Sequence, residues 1–222
     1  MRQILWILAL LFLSIPSHAL AVDQWSLQVF GGAPLNFNLP LTIHQSGHQD
    51  LKITGNYESR AFEVPWYYAW RVGAWNGNKA WELELVHNKL YLENKPPEVQ
   101  EFSISHGYNL LTVNRAWKEK GFIFRGGLGV VITHPETTVR GLSHSQEGGI
   151  SGGYYLSGPT IQGAVEKRFH LWRWLIASLE GKLTASYARI PVEGGHADVP
   201  DVAVHGLFGL GLDIPRPRKS AP

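Results

Sequence analysis

The chain has 222 residues, a formal net charge of +2 and no cysteine. So small a charge argues against a nucleic-acid partner, and the lack of thiols excludes disulfides and thiolate metal sites. Only 17% of the residues are charged, whereas 24 are glycine and nine are tryptophan. That balance is unusual for a soluble domain, but it suits a barrel whose outer face contacts lipid.

The first 21 residues predict a secretory signal peptide. They combine Arg2, an apolar block from Ile4 to Ile15 and a small-residue cleavage signal that ends at Ala21. The alternative, an N-terminal membrane anchor, is disfavoured because a spanning helix needs about 20 apolar residues. We therefore expect export, cleavage after Ala21 and a mature domain over residues 22–214.

The dominant pattern of the mature domain is alternation of apolar and polar residues, which indicates strands with two different faces. It is clearest over 175–187, 122–132 and 204–214. No apolar run in this part of the sequence is long enough for a spanning helix. We predict eight strands, up and down in turn: 24–44, 50–75, 80–92, 100–117, 121–134, 153–169, 173–190 and 202–214.

The connections between these strands are alternately short and long. Tight turns near residues 76–79, 118–120 and 170–172 contrast with long polar loops near 45–49, 93–100, 135–152 and 190–201. This asymmetry is typical of outer-membrane barrels, with short periplasmic turns and long extracellular loops. Aromatic residues cluster at both strand ends, as interfacial girdles require.

These patterns predict an all-β, eight-stranded antiparallel up-and-down transmembrane β-barrel in the Gram-negative outer membrane, with both termini in the periplasm. The first two strands exceed the roughly 9–11 residues needed to cross. They are expected to protrude as an extracellular hairpin that turns at 45–48. Counting that hairpin as two more strands gives a ten-stranded alternative. Residues 215–222 are predicted to be a disordered tail.

Several charged residues fall on the inward face of the predicted barrel. Eight strands enclose a lumen that side chains fill, so these charges must be paired rather than line an open pore. One interpretation is a structural salt-bridge plug, and the other is a binding site that reaches the upper mouth. The residues are Arg71, Glu82, Glu84, Arg125, Glu180 and Lys182.

A predicted β-bulge in the third strand extends this set towards the rim. The alternation slips between Leu85 and Val86, and bulges cluster at barrel rims and next to sites. After the slip, Val86, Leu90 and Leu92 would face outward. His87, Lys89 and Tyr91 would face inward and join Glu180 and Lys182, while His134 would lie at a similar height but point outward. Imidazole and carboxylate groups there would serve as acid and base or bind a divalent metal ion, with His87 and His134 as candidate ligands.

Six segments resemble the outer-membrane β-barrel family that includes the rhizobial lipid A oxidase, alongside general OmpA-like barrels. They are F-E-V-P-W-Y-Y-A-W-R (62–71), E-L-V-H-N-K-L-Y (84–91), S-H-G-Y-N-L-L-T-V-N (105–114), G-L-G-V-V-I-T-H-P (127–135), L-S-G-P (156–159) and L-E-G-K-L-T (179–184). The chain departs from the pattern at His106, where the oxidase-like sequences more often carry an acid, and in its lack of a terminal aromatic.

The resemblance implies oxygen-dependent oxidation of the proximal glucosamine of lipid A to 2-aminogluconate. The positions that it points to are His87, Lys89, Tyr91, His134, Glu180 and Lys182. It also implies outer-membrane lipid and lipopolysaccharide as partners, the barrel-assembly machinery during biogenesis, and a monomeric state.

Two other functions remain open at this stage. The barrel would be non-catalytic if it acts as a structural or surface-binding protein through its extracellular loops. Lipid A deacylation by an outward serine, histidine and glutamate is the third hypothesis. It is disfavoured because the H-x-S-N signature is absent, and because successive residues such as Ser105 and His106 point to opposite faces of a regular strand.

Overall fold

The computed structural model describes residues 22–144, 148–150 and 152–216. The predicted signal peptide and the tail from residue 217 onward lie outside these residues. The predicted tail begins too early, because Pro215 still belongs to the last strand and the Arg216 amide donates to the Asp23 carbonyl at 2.8 Å. No helix long and apolar enough to cross a membrane occurs in the described part of the chain.

Eight long antiparallel strands close into a ring. In chain order they are β1 (Gln24–Asn36), β5 (Tyr68–Asn76), β6 (Lys79–Leu92), β7 (Val99–Glu119), β8 (Phe122–Thr133), β11 (Tyr155–Trp172), β12 (Leu175–Val192) and β13 (Gly195–Pro215). Each pairs with the next, and β1 pairs with β13 to complete the circle. The predicted fold class is confirmed with eight strands in the ring, not ten.

The strand register has the stagger that a closed barrel requires. A row of directly opposed residues that starts at Gln24 passes around all eight strands and returns to β1 at Pro34. The shift of ten residues is the shear of the barrel. Shear and strand number together fix the strand tilt and the barrel radius, so this interior is narrow and filled by side chains.

Short strands extend the barrel at the end away from the tight turns, and we call this end the crown. They are β2 (Leu39–Gln45), β3 (Leu51–Gly55), β4 (Tyr57–Glu58), β9 (Glu136–Val139) and β10 (Leu142–Ser143). The predicted first strand is therefore divided at 37–38, and the predicted second strand becomes β3, β4, a loop at 59–67 and β5.

The predicted loop over 190–201 is a hairpin instead. Strands β12 and β13 stay paired up to Val192 and Gly195. Gly194 makes the turn with a φ of 75°, in the left-handed region that favours glycine. Ala197 and Val199 are buried. Because the inward side of this segment packs into the crown, the chain continues as strand where its polar residues suggest a loop.

The outer face of the barrel is apolar. Side chains such as Leu128, Ile161 and Phe208 are more than half exposed, and aromatic residues line both ends of the strands. The interior divides into two layers. Polar and charged side chains fill the half next to the tight turns, whereas a continuous apolar cluster that includes Ile43, Ile104 and Val131 fills the crown half.

Candidate functional site at the outer rim

The predicted inward charges do meet in the lumen. Arg71 contacts Glu84 at 3.0 Å and Glu180 at 2.8 Å, and Lys182 contacts Glu84 and Glu180. Arg125 contacts Glu180 and lies 2.8 Å from Glu82. Two residues that the sequence interpretation did not include, Glu166 and Arg168, join the same network at 2.9 Å.

This network is a plug of paired charges. The eight residues named above are four carboxylates and four cations, and the side chains of seven of them are completely buried, Arg168 being 5% exposed. At the edge of the plug Arg168 also contacts Asp213, at 3.0 Å. Neutral amides complete it, since Gln28 and Gln162 donate to Glu166 and Glu84. Buried charges persist only when paired in this way. The arrangement supports the interpretation of these residues as a structural plug.

The predicted bulge in β6 is wrong, and so is the orientation that followed from it. The pairing of β6 with β5 runs from Lys79 to His87 with no register shift, and Val86, Leu90 and Leu92 pack into the crown core. His87, Lys89 and Tyr91 therefore lie on the outer face. The irregularity falls instead in the pairing with β7, where Asn88 and Leu90 oppose Tyr108 and Ile104.

This correction separates the predicted catalytic set into two groups. Glu180 and Lys182 lie in the lumen, on the other side of the barrel wall from His87, and their side chains are fully buried. They cannot act together with His87 on one substrate. The predicted outward orientation of His134 agrees with the structure, in which β8 buries Val131 and Thr133 on its inner face.

The loop at 59–67 covers the outer face of β6. The Lys89 ammonium donates to the carbonyl oxygens of Arg60 and Glu63, both at 2.8 Å, and the Arg60 guanidinium lies 4.4 Å from the Tyr91 ring centre. These contacts give Lys89 and Tyr91 a role in holding the loop.

Three apolar side chains of this loop are not covered by the rest of the protein. Phe62, Val64 and Trp66 are 82%, 81% and 65% exposed. Exposed apolar groups in a contiguous segment mark an interaction surface for a membrane or a partner. We call residues 59–67 the apolar loop.

The first half of the outer-rim site is built around His87. Its ring stacks on Tyr68 with 4.9 Å between centres, and its Nδ1 lies 2.7 Å from Oδ1 of Asn109. Because a carbonyl-type oxygen only accepts, Nδ1 carries the hydrogen and Nε2 presents a lone pair. Nε2 is buried without a hydrogen-bond partner among the described residues.

The second half joins His106, His134 and Glu136. His106 Nδ1 lies 3.0 Å from a Glu136 carboxylate oxygen, and the His106 and His134 ring centres are 5.1 Å apart. Tyr154 closes the group, with its ring 4.8 Å from that of His134.

A cavity of about 380 Å³ opens beside both halves. Its lining includes Pro65 of the apolar loop together with Tyr68, His87, His106, Asn109 and Tyr154. We call His87, His106, Asn109, His134, Glu136 and Tyr154 the rim cluster.

Local backbone geometry brings the second half together. The residues 105–107 have no partners in β6, and Gly107 has a φ of 132°, a value that favours glycine. This irregular segment frees His106 from the strict alternation of β7. Glu136 begins β9, which folds back along β7 and pairs with Ser103.

A serine, a histidine and a glutamate therefore do meet, contrary to the expectation from strand alternation. Ser105 Oγ donates to Glu136 at 2.6 Å and lies 3.1 Å from His106 Nδ1. In a hydrolytic triad the serine and the acid contact different nitrogens of the imidazole. Here both contact Nδ1, so the arrangement lacks the geometry of a nucleophilic relay.

No protein-family model and no curated protein sequence matches the chain. Solved structures with a similar fold include several outer-membrane proteins. Ail, the attachment invasion locus protein of Yersinia pestis, is 11% identical with a TM-score of 0.42, over 87% of this chain and 99% of that one. AlkL is 10% identical with a TM-score of 0.49, over 90% and 94%. OprG from Pseudomonas aeruginosa is 9% identical with a TM-score of 0.46, over 88% and 97%.

Proposed function

We propose that the chain is an integral outer-membrane protein that oxidises lipid A in the outer leaflet. The exposed apolar outer face supports membrane embedding, because moving each large apolar side chain from water into lipid contributes roughly 1.5–3 kcal/mol of favourable transfer free energy. The tight turns would then lie in the periplasm and the crown outside the cell, as in other barrels of this kind.

The observation that carries the proposal is the position of the rim cluster. It lies on the outer side of the barrel wall, above the apolar face, and its cavity is bordered by Pro65 of the apolar loop. In a membrane, that position is at the headgroups of the outer leaflet. A cavity lined by histidine, asparagine and tyrosine side chains among apolar ones suits a substrate with a sugar headgroup and acyl chains.

The oxidation itself follows from the resemblance described above and needs dioxygen as the oxidant. The proximal glucosamine must have a free anomeric hydroxyl group. Loss of the C1 hydrogen and the hydroxyl proton gives the lactone, and dioxygen takes up the two electrons and two protons as hydrogen peroxide. Water then opens the lactone to the 2-aminogluconate. His87 Nε2, with its lone pair directed at no other group, would take the hydroxyl proton.

Lipid A mass spectrometry tests this proposal. The chain is expressed in a host whose lipid A lacks the modification and carries a free anomeric hydroxyl group. We expect a product that has gained one oxygen atom, and its loss in His87→Ala. His170→Ala is the matched control, since His170 is an exposed histidine at the tight-turn end of the barrel. Unchanged lipid A with folded protein and ample oxygen would refute the proposal.

A second candidate function is non-catalytic surface binding through the crown. It is favoured by the ordered β2–β3 and β12–β13 hairpins, which pair with each other between Gly195–Asp198 and Thr42–Gln45. If it is correct, shortening these hairpins abolishes binding to a surface partner, while His87→Ala has no effect.

A further inference from the structure

We infer that His106, His134 and Glu136 form a binding site for a divalent transition-metal ion. A ring nitrogen from each histidine and a carboxylate oxygen all lie within 4.8 Å of one another. Ligand atoms around one ion are about 3 Å apart, because each bond is about 2.0–2.2 Å long. Small side-chain rotations would therefore complete the site.

The hydrogen bonding of His134 is an independent indication of a missing ligand. Its Nε2 lies 3.1 Å from the Gly152 carbonyl oxygen, which only accepts, so Nε2 carries the hydrogen. Nδ1 then presents a lone pair. Yet it is buried without a hydrogen-bond partner among the described residues, on a side chain whose residue is only 7% exposed. Metal-binding histidines commonly donate their second ring nitrogen to a carbonyl in this manner.

Glu136 is held by neighbouring hydroxyl groups. Ser105 and Ser103 both donate to its Oε2, at 2.6 and 3.3 Å, which leaves Oε1 directed towards His106. Such hydrogen bonds orient a ligating carboxylate and tune its basicity. The two serines would therefore act as positioning residues for the metal site.

The ligand set also indicates the class of metal. Two histidines and one carboxylate with open positions suit Fe(II) in oxygen-using enzymes, and the same donors bind Zn²⁺ or Co²⁺. Any role of the ion in oxidation rests on the proposed function, whereas binding of the ion to these three residues is independent of it.

Cobalt titration of the purified full chain, folded in lipid nanodiscs and stripped with a chelator, tests the site. A second group, His44, His196 and Asp198 in the crown, offers similar donors. The parent protein therefore carries His44→Ala and His196→Ala. We expect one equivalent of Co²⁺ with a visible d–d band. Loss of a residue that only orients a ligand typically weakens metal affinity by roughly 10–100-fold, so Ser105→Ala should weaken cobalt binding by about 10-fold. His134→Ala removes a ligand itself and should weaken cobalt binding by more than roughly 100-fold.

His170→Ala is the matched control, because His170 is an exposed histidine at the tight-turn end of the barrel and belongs to neither group, and it should retain the full stoichiometry. Heat-dependent gel mobility verifies that each variant is folded. Equal cobalt binding by the parent and by His134→Ala would overturn the inference, as would no binding by the parent. Metal binding with unchanged lipid A would refute only the proposed function, and oxidised lipid A without metal binding would refute only the metal site.

Discussion

Removal of Arg125 from the lumen plug should be strongly destabilising. Arg125 lies 2.8 Å from Glu82 and also contacts Glu166 and Glu180. In Arg125→Met, Glu166 retains Arg168 at 2.9 Å and Glu180 retains Arg71 at 2.8 Å. The nearest remaining cation to Glu82 is Arg71, at 3.7 Å, and it is already shared. One buried carboxylate is thus left without its main partner.

The expected cost follows from this single loss. Breaking a buried ion pair by removing one partner costs roughly 3–5 kcal/mol. With a urea dependence of roughly 1–3 kcal/mol per M, the unfolding midpoint should fall by about 1–5 M. The measurement is urea unfolding in lipid vesicles, followed by tryptophan fluorescence and by the mobility of unboiled samples on a gel.

A double variant separates lost charge balance from lost packing. Arg125→Met with Glu82→Gln removes the uncompensated charge and should recover at least half of the lost stability. Arg173→Met, in an exposed turn, should leave the midpoint unchanged. A midpoint for Arg125→Met equal to that of the wild type, or a double variant less stable than the single one, would show that the plug does not depend on charge pairing.

Three further predictions concern packing, pH and conductance. Gly129→Ala should destabilise the barrel by roughly 1–3 kcal/mol, because the added methyl group would lie 1.9 Å from the Leu111 carbonyl oxygen. Gly126→Ala, on the same strand, is the control. Its methyl group meets no atom within 4 Å, so the unfolding midpoint in the same urea assay should not change. In the crown, the hydrogen bond from Arg189 lowers the pKa of Asp198, so the stability that this carboxylate contributes is present above its unfolded pKa, near 3.8, and is lost as the pH falls through its folded value. Hydrogen exchange in the β12–β13 hairpin, corrected for intrinsic rates, should therefore increase on acidification in the wild type and change less in Asp198→Asn. Finally, the filled lumen predicts no stable single-channel conductance in planar bilayers, and discrete channels in the wild type would contradict the plug.

Much of the fold could be predicted from local sequence. A strand with one apolar and one polar face has a period of two whatever surrounds it, so five of the eight ring strands were located to within a few residues by alternation and turn residues. The inward charges were located by the same parity, and their pairing follows from the cost of burying an unpaired charge. The paired extension of β12 and β13 escaped prediction, because its stability depends on a core assembled from distant strands.

The rim cluster shows where local sequence stops being informative. His87 was assigned to the wrong side of the wall because Val86, Leu90 and Leu92 resemble lipid-facing residues, and only the apolar core of the crown reveals that they point inward. Glu136 and Asn109 carried no signal of their own, and His106 appeared only as a departure from a family pattern and in the disfavoured deacylase hypothesis.

The sequence by itself determined the class of strand, the two faces of the wall and the charges of the lumen, because these depend on residues adjacent along one strand. Only the tertiary structure decided which side of the wall carries the candidate chemistry. The irregular pairing at 105–107 and the return of β9 along β7 bring His106, His134 and Glu136 together. Such register shifts arise between strands, so no pattern within a single strand can reveal them.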